Sequence, residues 1–199
     1  MDAMLDGGFA DPVFDSQAAF RAILDALANP GTAPKLMLPR LTEGVMGPEL
    51  VSVLLTLSDH DTPIWLTPRL RKAKALQPFV SFHTGATIVA EPQDAAFAFA
   101  EAESELPPLS AFNQGTEEYP DRSTTIVLRV TALEGGASLR LGGPGINGHR
   151  HISPVGLPVD FLGQWQENGA SFPRGVDLLL VADGRVTGLP RTTRIEGEH

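Results

Sequence analysis

The sequence predicts an α/β or α+β domain with a mixed central sheet flanked by helices. Three observations lead there. Segments of helical apolar spacing are interleaved with short strand-like runs along the whole chain. The unbroken apolar run Leu178-Leu179-Leu180-Val181 reads as a strand covered on both faces. Twenty glycines and seventeen prolines demand many turns and short elements, which argues against a helix bundle. With 199 residues, 42% of them hydrophobic, the chain suits one domain over 1–199 with an ordinary buried core.

Residues 15–29 form the clearest helix. Asp15 or Ser16 can cap it, and Phe20, Ile23, Leu24 and Leu27 recur on one face. Asn29-Pro30-Gly31 stops it. Residues 33–39 read as a short edge strand. A second helix over 48–58 turns Leu50, Leu54 and Leu57 inward, and Ile64-Trp65-Leu66 is a short strand. A third helix near 70–82 groups Leu76, Phe79 and Val80, and His83 continues that face as a structural histidine. Strands at 87–90 and 96–100 flank Pro92. The polar, turn-rich stretch from Pro107 to Asp121 is the expected mobile region, placed to cover a site or meet a partner. Strands at 124–133 and 137–142 are joined by Gly135-Gly136. A short helix around 158–168 presents Phe161, Leu162 and Trp165. The strands 177–182 and 185–189 make a hairpin around Asp183-Gly184.

Composition removes several function classes. The formal charge of -9 argues against a broad nucleic-acid surface. Twelve arginines against three lysines still allow local sites for phosphate or carboxylate. The absence of cysteine rules out disulfides, a thiol nucleophile, thiolate zinc and cysteine-held iron–sulfur clusters in this chain, and fits a cytoplasmic protein. No apolar run approaches the roughly 20 residues needed to cross a bilayer. The acidic start Met1–Asp6 lacks the basic opening of a signal peptide.

Chemistry concentrates in a few places. Gly143-Pro144-Gly145-Ile146-Asn147-Gly148 spells a glycine fingerprint for dinucleotides. That use needs a long helix to start at once, and Pro154 and Gly156 interrupt one. The run is therefore read as a tight turn that lets backbone approach an anion or another protein chain. His149, Arg150 and His151 follow it and strengthen the functional reading, although two imidazoles do not complete a metal site. No metal is expected. His60, between Asp59 and Asp61, is a general-base candidate beside the plainer account of a capped turn. Arg191 and Arg194, in Leu189-Pro190-Arg191-Thr192-Thr193-Arg194, are joined in space by Arg174 in one reading. Such a group holds a triphosphate or phosphonate, or clamps an acidic partner surface. Lys35, Lys72 and Lys74 are the only residues available for a pyridoxal phosphate Schiff base, and none has a suitable setting, so no cofactor is expected. Neither a GxxxxGK[ST] loop nor a GxSxG elbow is present.

Several blocks taken in order resemble one family. They are Phe20–Leu24 with Asn29-Pro30-Gly31, Leu54–Asp59 running on through Asp61–Leu66, Phe82-His83-Thr84, Leu141–Ile146, Phe172–Asp177 and Leu189–Thr193. Their order and spacing, from about residue 9 to 196, are similar to PhnH, a family of subunits of the bacterial carbon–phosphorus lyase complex. The resemblance implies a fold like the large domain of pyridoxal-phosphate-dependent aminotransferases, without the cofactor. It implies a homodimer that joins subunits G, I and J in a core assembly for phosphonate catabolism. In that assembly PhnH and subunits G and I, with the ATPase-like L, support an ATP-dependent step. Alkylphosphonate displaces adenine to give ribose 1-phosphonate 5-triphosphate. Radical cleavage of the carbon–phosphorus bond belongs to subunit J and its iron–sulfur centre.

No catalytic residue carries over from the family. Local chemistry nominates Arg174, Arg191 and Arg194 as substrate or partner contacts, with Gly143, Gly145, Gly148, Arg150 and His151 beside them. His60 is the proton-transfer candidate. The leading expectation is a structural or co-catalytic subunit without activity of its own. The rival is a free-standing nucleotide- or sugar-phosphate-binding enzyme with a deep pocket near 143–151. A third reading is a degenerate pyridoxal enzyme that retains cofactor binding.

Overall fold

The computed structural model describes residues 7–41 and 46–197; the acidic start Met1–Asp6 lies outside them. The elements run β1 (Gly7–Gly8), α1 (Pro12–Ala28), β2 (Arg40–Leu41), α2 (Pro48–Leu57), β3 (Ile64–Leu66), α3 (Pro68–Lys72), α4 (Leu76–His83), β4 (Phe97–Ala100), β5 (Thr125–Arg129), β6 (Leu139–Gly142), β7 (Arg150–Ile152), α5 (Phe161–Ala170), β8 (Asp177–Ala182), β9 (Arg185–Leu189) and β10 (Arg194–Gly197).

The central sheet has the order β3-β4-β5-β8-β9. Its first four strands are parallel, and β9 returns antiparallel to β8. Asp183 and Gly184 both adopt positive φ (52° and 67°), the backbone a tight two-residue hairpin turn requires. A second, antiparallel sheet has the order β10-β6-β7, and β1 pairs with β2 as a small ribbon. Two cores lie on opposite faces of the central sheet. Leu179 and Val181 face the core that contains α1, α2 and α4, whereas Leu178 and Leu180 face the one that contains α5 and β6. The continuous apolar run of β8 thus follows from its double burial.

Helix α1 corrects the expected cap and face. Asp11 is the cap: its Oδ1 accepts from the backbone N–H groups of Val13 and Phe14, and Pro12 opens the helix. The buried stripe is Ala19, Ala22, Ile23 and Ala26, while Phe20 and Leu24 point outward at 44% and 50% exposure. The cause is a close approach to β9. A side chain at Gly188 would sit 2.6 Å from the Ala26 carbonyl oxygen and 2.8 Å from the Leu27 nitrogen. Only small residues fit that seam, so the larger apolar side chains lie on the other face.

The expected helix over 70–82 is two helices, with Ala73 extended between them. Pro78 explains the break. Inside one long helix it would remove a backbone bond and clash with the preceding turn. In α4 it is the third residue, where no intrahelical N–H partner is needed. Leu76, Phe79 and Val80 are fully buried as expected, and the His83 ring packs against Phe79 with centroids 4.2 Å apart.

Two expected strands reduce to single bridges. Residues 33–39 contribute only the Lys35–Arg185 bridge, supported by Leu36 N–H to Gly184 O at 2.8 Å. Residues 87–90 contribute the Ile64–Ile88 bridge beside β3. The hairpin expected between β5 and β6 does not form. Both edges of β5 are taken by β4 and β8, which leaves β6 no place beside it. Instead Ala132 bridges to Val155, and β6 joins β7 and β10.

The stretch from Pro107 to Asp121, expected to be mobile, is anchored by packing. Leu109 and Phe112 are 2% exposed, and Phe112 meets Trp65 edge-on at 5.6 Å. Gln114 Nε2 donates to the carbonyls of Leu109 and Phe112, and the Gln114 backbone carbonyl accepts from Gly175 N–H. Polar composition hid two aromatic and aliphatic anchors worth about 1.5–3 kcal/mol each in burial.

Candidate functional site

The glycine turn from Gly143 to Gly148 links β6 to β7, and no helix follows it. Gly143, Gly145 and Gly148 all have positive φ (136°, 78° and 74°). The close approach it permits is internal. A side chain at Gly145 would run into the Ala28 carbonyl and lie 2.9 Å from Pro30 Cδ, and one at Gly143 would lie 2.9 Å from the Thr192 carbonyl oxygen. The turn is therefore wedged between the end of α1 and the approach to β10. Arg150 completes the junction. Its Nη1 donates to the carbonyls of Asn29 at 3.0 Å and Pro30 at 2.5 Å, a cationic cap on the C-terminus of α1. Gly145→Ala combines left-handed backbone strain with a backbone clash. We expect it to lower stability by about 2 kcal/mol, read from urea unfolding.

Arg191 is a clamp. Its guanidinium makes five hydrogen bonds: Nε to Asp177 Oδ1 at 3.1 Å, Nη2 to Asp177 Oδ2 and to Ser123 Oγ at 2.5 Å each, and Nη1 to the carbonyls of Pro120 at 2.7 Å and Pro173 at 3.4 Å. Its backbone N–H also donates to Asp177 Oδ1 at 2.7 Å. Five guanidinium N–H groups are available in arginine, so these bonds occupy the fork. Arg191 thereby ties together the Pro120 turn, the start of β8 and the Phe172-Pro173 segment, which carries a cis peptide bond. Arg191, nominated as a substrate or partner contact, thus has its guanidinium donors directed to groups within the chain.

Beside the clamp lies an open, mainly apolar groove of about 600 Å³. One wall is α5 from Trp165 to Ala170 with Phe172 beyond it; the other is the run Arg191–Glu196, with Pro144 of the glycine turn also lining it. Trp165 is 2% exposed, stacks on Phe161 and donates its indole N–H to Thr193 O at 2.8 Å. The Thr193 hydroxyl is buried and has no hydrogen-bond partner among the described residues. A smaller polar notch adjoins, lined by Arg140, Gly148, His149, Arg194 and Glu196 among others. Arg194 borders both spaces and is exposed; among the described residues it forms no ion pair, whereas Arg140 pairs with Glu196 at 3.2 Å.

The other nominated residues fall elsewhere. Arg174 is exposed and lies outside the lining of the groove. His149 and His151 face each other with ring centroids 5.2 Å apart, as extended backbone allows. No cluster of three potential metal ligands occurs among the described residues. His60 is exposed on a capped turn. Asp59 Oδ1 accepts from Thr62 Oγ1 at 2.6 Å and from Asp61 N–H at 3.0 Å, while Asp61 reaches His60 Nε2 at 3.3 Å. The Thr62 hydroxyl, then the Asp61 N–H, hold the Asp59 carboxyl below its usual range. Lys35, Lys72 and Lys74 are all exposed. Sequence reasoning missed the partnership of Asp177 and Ser123 with Arg191, and the groove itself. Asp177 had a signal, since it closes the Phe172–Asp177 block, but nothing local names its partner.

Fold and groove together define a mixed α/β protein with an open, largely apolar groove at the rim of its second sheet. Comparison places it further. The model of the family described as "Bacterial phosphonate metabolism protein (PhnH)" matches residues 7–196, and the chain belongs to that family. It is 47% identical over 192 residues to "Alpha-D-ribose 1-methylphosphonate 5-triphosphate synthase subunit PhnH" of Rhizobium meliloti (strain 1021), covering 96% of each chain. It is also 41% identical over 87 residues to "Putative C-P lyase subunit protein HtxG" of Stutzerimonas stutzeri, covering 43% of this chain and 45% of that one. No helix among the described residues is long and apolar enough to cross a membrane.

Proposed function

We propose that this chain is a subunit of a carbon–phosphorus lyase assembly that makes ribose 1-phosphonate 5-triphosphate from alkylphosphonate and ATP with release of adenine. The observation that carries this is the near full-length 47% identity to a subunit named for that product. The role is mainly structural or co-catalytic. Arg191 is committed to holding the fold, and His60 stands on an exposed turn away from the groove. Partners are a second copy of the chain and subunits G, I and J, in the cytoplasm. The parallel run β3-β4-β5-β8 with antiparallel β9 supports the further reading of the sheet as a cofactor-free counterpart of an aminotransferase large domain.

Complementation tests the function. In a bacterium deleted for its own PhnH, this chain should restore growth on methylphosphonate as the phosphorus source, and His60→Ala should restore it equally. Failure of a well-expressed wild-type chain, or turnover of nucleotide or phosphonate by the purified chain alone, would overturn the proposal. For the dimer, the outward face of α1 supplies apolar area through Val13, Phe14, Phe20 and Leu24. The double variant Phe20→Glu/Leu24→Glu is expected to sediment as a monomer that still unfolds cooperatively and loses only the concentration-dependent part of its melting temperature, because neither side chain is part of the core.

A further inference from the structure

We propose that the groove between α5 and the outer edge of β10 binds an extended polypeptide segment of a partner, which adds to β10 as a further strand and sets an acidic side chain on Arg194. Four features lead to this. First, β10 is the terminal strand of its sheet, paired only with β6 among the described residues. Its outer edge presents backbone donors and acceptors suited to another strand. Second, the groove follows that edge. Side chains alternate between the faces of a strand, so a groove over one face would be lined by every second residue. Here Arg194, Ile195 and Glu196 all line it in succession.

Third, the opposite wall leaves room. Gly169 on α5 has open space where a side chain would begin, and Ala170 beside it is small. Fourth, charge selects the occupant. The molecule carries a net charge of -9, yet Arg194 and Arg140 both line the adjoining notch, with Glu196 as its one acidic lining residue among those described, and Arg194 is the one of the two without an acidic partner among the described residues. Arg194 lies within the Arg191–Glu196 lining, with groove on both sides of it. The complementary carboxylate therefore belongs to a side chain within the segment, and not to a chain terminus.

This deepens the subunit reading and rests on it for the existence of a partner. Its test uses the isolated full chain, so the groove can fail while growth on phosphonate is restored, and the reverse. Random peptides displayed internally are selected on the wild-type protein and counter-selected on Gly169→Leu. Leucine fills the groove, and it suits a helix better than glycine, so the fold is kept. Melting temperature checks that. Enriched peptides should alternate apolar residues around an aspartate or glutamate, and should lose binding to Gly169→Leu. They should bind Arg194→Ala at least about tenfold more weakly, the loss expected for a charge-assisted hydrogen bond. The alternate backbone amides of Arg194–Gly197 that point away from β6 should gain protection from hydrogen exchange in the complex. The proposal is overturned if no peptide distinguishes wild type from a folded Gly169→Leu, if enriched peptides lack an acidic residue or bind Arg194→Ala equally well, or if they need a free terminal carboxylate.

Discussion

Arg191→Ala is expected to destabilise the folded chain by about 3–5 kcal/mol, the range for breaking a buried ion pair from one side. The Arg191 and Asp177 side chains are 12% and 23% exposed, so solvent replaces little of what is lost. Alanine strands the Asp177 carboxylate beside the sheet with the Arg191 backbone N–H as its remaining partner from that segment. It also removes donors from Ser123 Oγ and the Pro120 carbonyl, which unties the turn before β5 from the start of β8. Urea unfolding reads the effect as a lower midpoint at unchanged slope. Arg191→Lys should recover only part of it, because a single ammonium cannot span a carboxylate, a hydroxyl and two carbonyls at once. A substrate role predicts the reverse: full stability in both variants with loss of phosphonate use. Unchanged unfolding in Arg191→Ala would remove the clamp from this account.

A comparable loss, about 3–5 kcal/mol, is expected for Trp165→Ala. The side chain is among the largest fully buried ones. It stacks on Phe161 with centroids 5.7 Å apart and fastens α5 to the approach of β10 through its bond to Thr193 O. Trp165→Phe separates these contributions. Ring burial and stacking are largely retained, and the indole hydrogen bond is lost, so a cost of about 1 kcal/mol is expected. Denaturant unfolding of both variants checks the pair. Equal losses in Phe and Ala would mean that the hydrogen bond, and not the packing, carries Trp165.

Much of the architecture was legible before any contact was known. The β8–β9 hairpin announces itself through Asp183-Gly184 between apolar runs, and the helices through spacing and their proline and glycine stops. The site was less legible. Arg191 stands out in the sequence, but its partners Ser123 and Asp177 lie 68 and 14 residues away, so its use as a clamp has no local signature. The glycine turn reads as allowing close approach. What it approaches, the end of α1, is more than a hundred residues earlier in the chain. For α1 itself, hydrophobicity ranked Phe20 and Leu24 above the alanines, whereas the seam against Gly188 selects size over hydrophobicity.

Local chemistry alone settled the main helices α1, α2 and α5, the β8–β9 hairpin with its turn, and that a strand at Leu178–Val181 is covered twice. These depend on neighbours within a few residues, through backbone preference and periodic apolar spacing. Packing decided the rest: which face of α1 is buried, that β6 leaves the central sheet, and that one arginine is consumed in the fold while Arg194 stays open. Each of those outcomes is a competition between distant groups for the same edge, volume or donor, and no residue carries the result of that competition in its own side chain.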